Sequence, residues 1–272
     1  MIALHKPQTL AGILQYKIEE IEAIIEQIKN EPRKSYYSYI QKSVKNGKLK
    51  ERPIDPSRAK LRDLQNRIHQ RILKKLPLPE HMMGSIKGRS NVDNAVTHRG
   101  GLHNFQTDLK NFFGYATNKM VFDMLRTHNF SPDVAHLITQ LTTFKGHLPQ
   151  GAPTSPILAN LVGISFDTPI LSICQHHAIK YTRYVDDLWF SADYDFTHLQ
   201  GELLKAIKDC KFLYSHRKTL AKAGKIEGTG VKVHKGGRLG LTDAQSKKLS
   251  DPGRSENSKK GIQSYKNQVE SR

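Results

Sequence analysis

The sequence predicts an α+β fold, with short antiparallel strands packed by amphipathic helices, and three stretches point to it. Ile18, Ile21, Ile24, Ile25 and Ile28 recur at helical spacing against Glu19, Glu20, Glu22 and Glu26, which separates an apolar face from an acidic one. Two strand-like pieces flank Asn46-Gly47, a dipeptide suited to a tight hairpin. In Tyr181-Thr-Arg-Tyr184-Val185-Asp186-Asp187-Leu188-Trp189-Phe190, two acids sit between β-branched and aromatic runs, at the tip of a second hairpin.

In chain order, the first helix runs from Lys17 to Asn30, and Pro32 ends it. Gln41 to Pro56 forms the basic hairpin, with Tyr36, Tyr37 and Tyr39 beside it. Its individual lysines are explained equally well as a solvated turn. Arg52 differs, because a strand position just before Pro53 gives its planar fork a fixed place from which to grip phosphate oxygens. Ser57 to Lys75 reads as a helix with Leu61, Leu64, Ile68 and Ile72 inward. Arg58, Arg62, Arg67 and Arg71 then lie largely outward, on a face that could track a nucleic-acid backbone. Pro77 and Pro79 break this helix. The Gly84–Ser90 loop is basic and Gly-rich but lacks the Gly-Lys-Ser/Thr of a Walker phosphate loop. Asn94-Ala-Val-Thr-His98, taken alone, is an ordinary capped helical turn.

Asp108 ends a short apolar strand, Phe105-Gln-Thr-Asp108. Phe112 is assigned to packing, and Phe113 to a contact with a sugar. Helices follow over Asn118 to Thr127 and, after the Ser131-Pro132 start signal, over Asp133 to Thr143. Leu148-Pro-Gln150-Gly-Ala-Pro-Thr-Ser155-Pro156 is a rigid turn that presents Gln150 and backbone N–H groups. Ser155 is the expected N-cap of a buried apolar helix, Ile157 to Ile173, interrupted at Asp167-Thr-Pro169. Thr197 to Cys210 is helical, Ile226 to Val233 is a hairpin, and the polar chain from Gln245 onward is expected to be mobile.

A lone Asp-Asp pair is most simply a solvated turn. Asp108 changes that reading: three acids on neighbouring strands repel one another, and a hard divalent ion relieves the repulsion by taking carboxylate and phosphate oxygens together. Asp108, Asp186 and Asp187 could hold two ions for in-line phosphoryl transfer, which is the outline of a polymerase palm. Lys218, in Ser215-His-Arg-Lys218-Thr219, would then lie near a triphosphate.

Across 272 residues the chain carries 43 Lys and Arg against 25 Asp and Glu, a formal charge of +18. That surplus favours a polyanion, and nucleic acid is the first candidate. No apolar run approaches the roughly 18 residues of a membrane span, and the N-terminus has neither an h-region nor a small-residue cleavage pattern. The expectation is a cytoplasmic protein with no membrane partner. Cys174 and Cys210 are the two cysteines and form no Cys-x-x-Cys pair, which argues against a disulfide framework and a zinc ribbon. Cys174-Gln-His176-His177 lacks the usual metal-ligand spacing and reads as a helix-end cluster.

Arg52-Pro-Ile, Asn94-Ala-Val-Thr-His98, Gln106-Thr-Asp108-Leu-Lys-Asn-Phe-Phe113, Gln150-Gly-Ala-Pro-Thr-Ser-Pro-Ile-Leu-Ala-Asn160-Leu, Tyr184-Val-Asp-Asp187 and His216-Arg-Lys218-Thr219 follow the block order of bacterial reverse transcriptases. From about Tyr36 to Val233 the chain resembles the retron group of that family. Where retron members usually carry Val-Thr-Gly, this chain has Gly228-Thr229-Gly230. The resemblance implies a right-hand polymerase: residues 1–35 an N-terminal helical segment, 36–103 the fingers, 104–210 an antiparallel-sheet palm packed by helices, 211–244 the palm end and a short thumb, and 245–272 a flexible basic tail. It implies that Asp108, Asp186 and Asp187 bind two Mg²⁺ ions, with Mn²⁺ as a substitute. Arg52 and Gln150 would hold the dNTP, Phe113 would act as the gate against a 2′-hydroxyl, and Lys218 would assist the phosphates. Arg58, Arg62, Arg67, Asn94 and His98 are the expected RNA contacts. Retron enzymes extend a primer on their own structured noncoding RNA, often from an RNA 2′-hydroxyl, to make DNA in antiviral defence, and a separately encoded effector protein is an expected partner. Two other readings stay open: a defence-associated relative making untemplated or protein-primed DNA, and a non-catalytic RNA-binding scaffold.

Overall fold

The computed structural model describes residues 4–45, 48–224, 226–234 and 236–272; the expected Asn46-Gly47 turn lies outside the described residues. In chain order the elements are α1 (Pro7–Leu14), α2 (Ile18–Asn30), α3 (Pro32–Ser35), β1 (Tyr39–Lys45), β2 (Lys48–Ile54), α4 (Ala59–Arg71), α5 (Asn91–Thr97), β3 (His103–Asp108), α6 (Phe112–Tyr115), α7 (Asn118–Thr127) and α8 (Pro132–Thr142). They continue as α9 (Ser155–His176), β4 (Lys180–Tyr184), β5 (Asp187–Ala192), α10 (Gln200–Asp209), β6 (Leu220–Ala223), β7 (Ile226–Gly228), β8 (Val231–Val233), β9 (Leu239–Gly240), α11 (Asp243–Ser250) and α12 (Glu256–Glu270). This is the α+β class that the patterning predicts. The chain forms two compact units, each entered twice: Met1–Leu78 with Asn111–Ile164, and Pro79–Lys110 with Ser165–Arg272.

The first unit is helical apart from the β1–β2 hairpin. Ile21, Ile24 and Ile25 of α2 and Leu61, Leu64 and Ile68 of α4 are buried, as their 3.6-residue spacing requires. The 111–164 segment joins this core through polar and aromatic contacts. Buried Gln65 donates to the Leu141 carbonyl at 2.8 Å, and Tyr36 stacks on Phe144 with ring centroids 4.1 Å apart. In the hairpin, Tyr39 lies opposite Ile54 and Arg52 opposite Gln41. Tyr39, Ile40, Val44 and Leu49 are all exposed, so both of its faces meet solvent.

The second unit is built on a four-stranded antiparallel sheet in the order β4-β5-β3-β6. Phe105, Phe190 and Tyr181 form its aromatic spine, with centroids 5.5 Å and 4.8 Å apart along the row. The edge strand β6 was not predicted: all four of its residues are exposed, so no alternation marks it. A smaller sheet, β7-β8-β9, follows. The expected mobile tail is instead two helices, a correction with a simple cause. Thr242 caps α11 in a capping box with Gln245, and α12 buries Val269 against Val92, Ala95 and Trp189. Val269, with Tyr265 packed against the same cluster, scarcely changes the polar composition of the helix, yet the two suffice to dock it.

Helix α9 corrects three expectations. It runs unbroken through Pro169. Proline cannot donate to the carbonyl four residues back, and that carbonyl, of Ser165, accepts from the Cys210 thiol at 3.3 Å. Ser155 is the first helical residue rather than the N-cap, and among the described residues its buried hydroxyl has no hydrogen-bond partner. By length and composition α9 is also apolar enough to cross a membrane, although 61% of that window is buried within the protein, as in a core helix.

Candidate active site

β4 and β5 are joined by a two-residue turn, Val185-Asp186, with Tyr184 paired to Asp187. Val185 has φ +60°, the first-position geometry of a primed hairpin turn, in which glycine is the unstrained residue. A β-branched side chain there costs about 1–3 kcal/mol and needs support from its surroundings. Gly84 passes directly beneath, where an added Cβ would lie 2.6 Å from the Val185 nitrogen. On the other side, the Leu109 N–H donates to the Asp186 carbonyl at 2.8 Å.

Antiparallel register sets Asp108 directly opposite Asp187, so both carboxyl groups start from the same face of the sheet. Burial, then the charges of Asp186 and Asp108 and a hydrogen bond to Asp108, push the Asp187 carboxyl up to about 7. Lys218 makes an ion pair with Asp108, and its side chain is 48% exposed. Among the described residues no group of three or more His, Cys, Asp or Glu side chains is gathered as a metal cage. The chemistry of the donors nevertheless fits a hard divalent cation: oxygen ligands only, in a site where burial and then neighbouring like charges raise one carboxyl even with Lys218 close by.

A cavity of about 200 Å³ opens on these acids, lined by Gln106, Asp108, Asp187, Trp189, Lys218 and the Glu227-Gly228-Thr229 segment. That segment is missing from the residues expected at the site, although its Gly-Thr-Gly composition was the available signal. At Gly228 a Cβ would come within 2.5 Å of the Trp189 ring, so only glycine allows the approach. Asn91 Nδ2 donates to the Thr229 carbonyl at 2.9 Å, and Asn94 Nδ2 to the Thr229 hydroxyl at 3.1 Å.

Asn94 and His98, expected to contact RNA, are 1% and 0% exposed, which corrects that expectation: their side chains are spent inside the protein. The His98 ring stacks on Trp189 at 4.4 Å and bridges the Ser191 and Thr182 hydroxyls, each at 2.7 Å. A neutral imidazole supplies the one donor and one acceptor that this bridge needs. Burial, followed by the Lys180 charge, holds the ring down at about 3. A depressed folded-state value means that stability is fully present above the unfolded histidine value and is lost as pH falls toward 3. We expect wild-type protein to lose about 2–3 kcal/mol through this group between pH ~7 and ~4.5. Urea midpoints at those two pH values should converge in His98→Asn, and an unchanged difference would refute the assignment.

The other expected residues lie in the first unit. Arg52 is exposed on β2. Three residues on, the Asp55 N–H donates to the Gln150 carbonyl at 2.7 Å, so the rigid Gln150 turn is tied to the hairpin that carries Arg52. Phe112 is buried and Phe113 half-buried. Arg58 is exposed and lies over the Tyr37 ring at 5.3 Å, and Arg62 is exposed. Arg67 departs from its expected role: it donates to the Leu14 and Gln15 carbonyls at 2.9 and 3.2 Å and pairs with Asp63. It closes the C-terminal end of α1, where a cation is favoured.

The family model described as Reverse transcriptase (RNA-dependent DNA polymerase) matches residues 40–233. The chain is 34% identical over 160 residues to the Retron Ec86 reverse transcriptase of Escherichia coli, a match covering 59% of this chain and 47% of that one. It is 31% identical over 173 residues to the Retron Se72 reverse transcriptase of Salmonella heidelberg (strain 579083-10), covering 63% of this chain and 45% of that one. The chain therefore spans about half the length of the curated relatives it matches. Among solved structures, apo telomerase from Candida tropicalis superposes with a TM-score of 0.56 at 10% identity, over 91% of this chain and 56% of that one. This likeness speaks for the right-hand polymerase fold alone. With the family match running through both carboxylate strands and the Gln150 turn, this chain belongs to the reverse transcriptase family and is of its bacterial retron type.

Proposed function

We propose that the chain is the catalytic part of an RNA-directed DNA polymerase that copies a structured noncoding RNA into DNA from dNTPs. The observation that carries this reading is the register of Asp108 against Asp187 beside the Val185-Asp186 turn, which brings acids almost eighty residues apart in sequence onto neighbouring strands. Asp108, Asp186 and Asp187 are the residues that would hold two Mg²⁺ ions, or Mn²⁺ in their place. When bound, such ions favour the alkoxide of a primer hydroxyl and offset charge on the departing pyrophosphate.

The protein's own side chains have definable tasks. Lys218 neutralises Asp108 here, and its solvent exposure leaves the ammonium available to triphosphate oxygens once cations take over the carboxylates. Arg52, with its fork on an exposed strand, suits phosphate oxygens; Gln150 is assigned to the nucleotide and Phe113 to rejection of a ribose 2′-hydroxyl. The exposed Tyr37 and Tyr39 rings, 5.6 Å apart, together with Arg58 and Arg62, suit a single-stranded template by stacking and charge. The proposed function includes a role in antiviral defence with an effector encoded elsewhere, a reading that the likeness to retron enzymes supports.

Incubation with a primed RNA, labelled dNTPs and Mg²⁺, followed by sequencing of the product, tests this reading. A product complementary to the RNA is expected. A random or homopolymeric product would replace the proposal with untemplated synthesis, and no incorporation under any divalent cation would leave an RNA-binding scaffold.

A further inference from the structure

Behind the acidic hairpin lies a buried charge network that the polymerase reading does not use. Arg183, on β4 two residues before the turn, is wholly buried and faces Asp167 of α9, also wholly buried. Its Nε lies 3.0 and 3.1 Å from the two Asp167 oxygens, and its Nη2 donates to Asp167 Oδ2 at 2.7 Å. Asp167 also accepts from the Tyr181 hydroxyl at 2.7 Å, and His81 Nε2 lies 2.9 Å from it. The Phe166 ring covers the guanidinium at 5.4 Å. The remaining nitrogen, Nη1, donates to the Val185 carbonyl at 3.2 Å. That carbonyl belongs to the residue with φ +60°, and it is joined by the next peptide bond to Asp186.

A pair that served only to fill the core could be replaced by apolar side chains at little loss. This pair does more, because one end of a five-donor fork is fixed on a carboxylate while the other holds the backbone of a left-handed valine. We infer that Arg183, anchored by Asp167, is a positioning residue that holds the Val185-Asp186 turn in its strained form and so sets where Asp186 points. Three further contacts hold the same place: the Arg183 N–H to the His81 carbonyl at 2.8 Å, the Met83 N–H to the Arg183 carbonyl at 2.8 Å, and Gly84 under Val185. The segment His81–Gly84 therefore extends the sheet as a brace beside β4, and lysine in place of Arg183 would keep the charge opposite Asp167 but lose the second arm of the fork.

The inference rests on the polymerase reading for its activity arm, and a second readout keeps the two apart. Arg183→Lys is expected to lower kcat for dNTP incorporation by about 10–100-fold with KM for dNTP within about threefold of wild type, and to melt within a few degrees of it. In the same protein, free of substrate, hydrogen exchange at the Leu109 amide, which donates to the Asp186 carbonyl, should speed up by about tenfold or more, while the amide of Phe105 in mid-strand is unchanged. Val185→Gly removes the need for the hold, so in that background the Arg183→Lys penalty on kcat should shrink to less than about threefold. Should the lysine variant fail to fold, Asp167→Asn/Arg183→Met removes both charges together and carries the same readouts. Wild-type exchange at Leu109 together with wild-type kcat in a folded variant, or an equal penalty in the Val185→Gly background, overturns the inference. A wild-type protein that incorporates nothing refutes the polymerase reading instead, and the exchange result still decides whether Arg183 holds the turn.

Discussion

Asp186→Asn and Asp108→Asn, made separately, are expected to lower dNTP incorporation by about 10³-fold or more while leaving the fold intact. Each replacement keeps the side-chain shape but removes one negative charge from a site where burial, then the charges of Asp186 and Asp108, push Asp187 up to about 7. Loss of charge therefore relieves repulsion, and the melting temperature should hold or rise. Activity lost with stability kept or gained is the signature of groups arranged for a cation rather than for the fold. Steady-state incorporation on a primed RNA, alongside thermal melts in the absence of divalent ions, gives both numbers. Wild-type turnover in either variant would remove the acids from the mechanism, and a large fall in melting temperature would mean that they serve the sheet.

Trp189→Ala is expected to cost about 3–5 kcal/mol of stability. Two residues after Asp187, Trp189 is 2% exposed and joins several elements of the second unit. Its ring stacks on His98, its indole N–H donates to Asn104 Oδ1 at 3.0 Å, and Gly228 closes against its edge. It also shares a cluster with Val92 and Ala95 of α5, Val231 and Leu239 of the small sheet, and Val269 of α12. Its removal leaves a cavity where these pieces meet and strands the Asn104 oxygen. Because Gly228 and Thr229 line the cavity on Asp108 and Asp187, incorporation should fall even below the melting transition. Trp189→Phe keeps an aromatic face for His98 but loses the N–H and part of the ring that Gly228 closes against, so it should cost less than the alanine change, about 1–3 kcal/mol. Urea denaturation of the three proteins decides the matter, and a cost under about 1 kcal/mol for the alanine variant would show that the small sheet and α12 are held elsewhere.

The residues that sequence reasoning located well are those whose local pattern and chemistry agree. The isoleucine spacing of α2 and the leucine spacing of α4 are repeated contacts with one core, so periodicity reports them. The acidic turn was legible because two adjacent carboxylates in an apolar hairpin have no packing use, and Asp108 because it ends a strand of the same kind. Features that rest on a single distant partner were not legible. Arg67 looked like one more outward arginine until the end of α1 supplied its carbonyls. Asn94 and His98 looked like surface polar residues until Thr229, Ser191 and Thr182 closed around them. A proline in a helix normally signals a break, and here the Cys210 thiol takes up the carbonyl that Pro169 cannot serve.

By itself, then, the sequence determined the class of fold, the basic charge that points to a polyanion, and the three carboxylates with their family, because each is written in neighbouring residues or in the order of short motifs. Only the tertiary structure decided that Asp108 faces Asp187 across a ladder, that Val185 is held at positive φ above Gly84, and that Arg183 spends its fork on Asp167 and the turn. Those are properties of register and burial, which depend on residues brought together from far along the chain, and no local pattern encodes them.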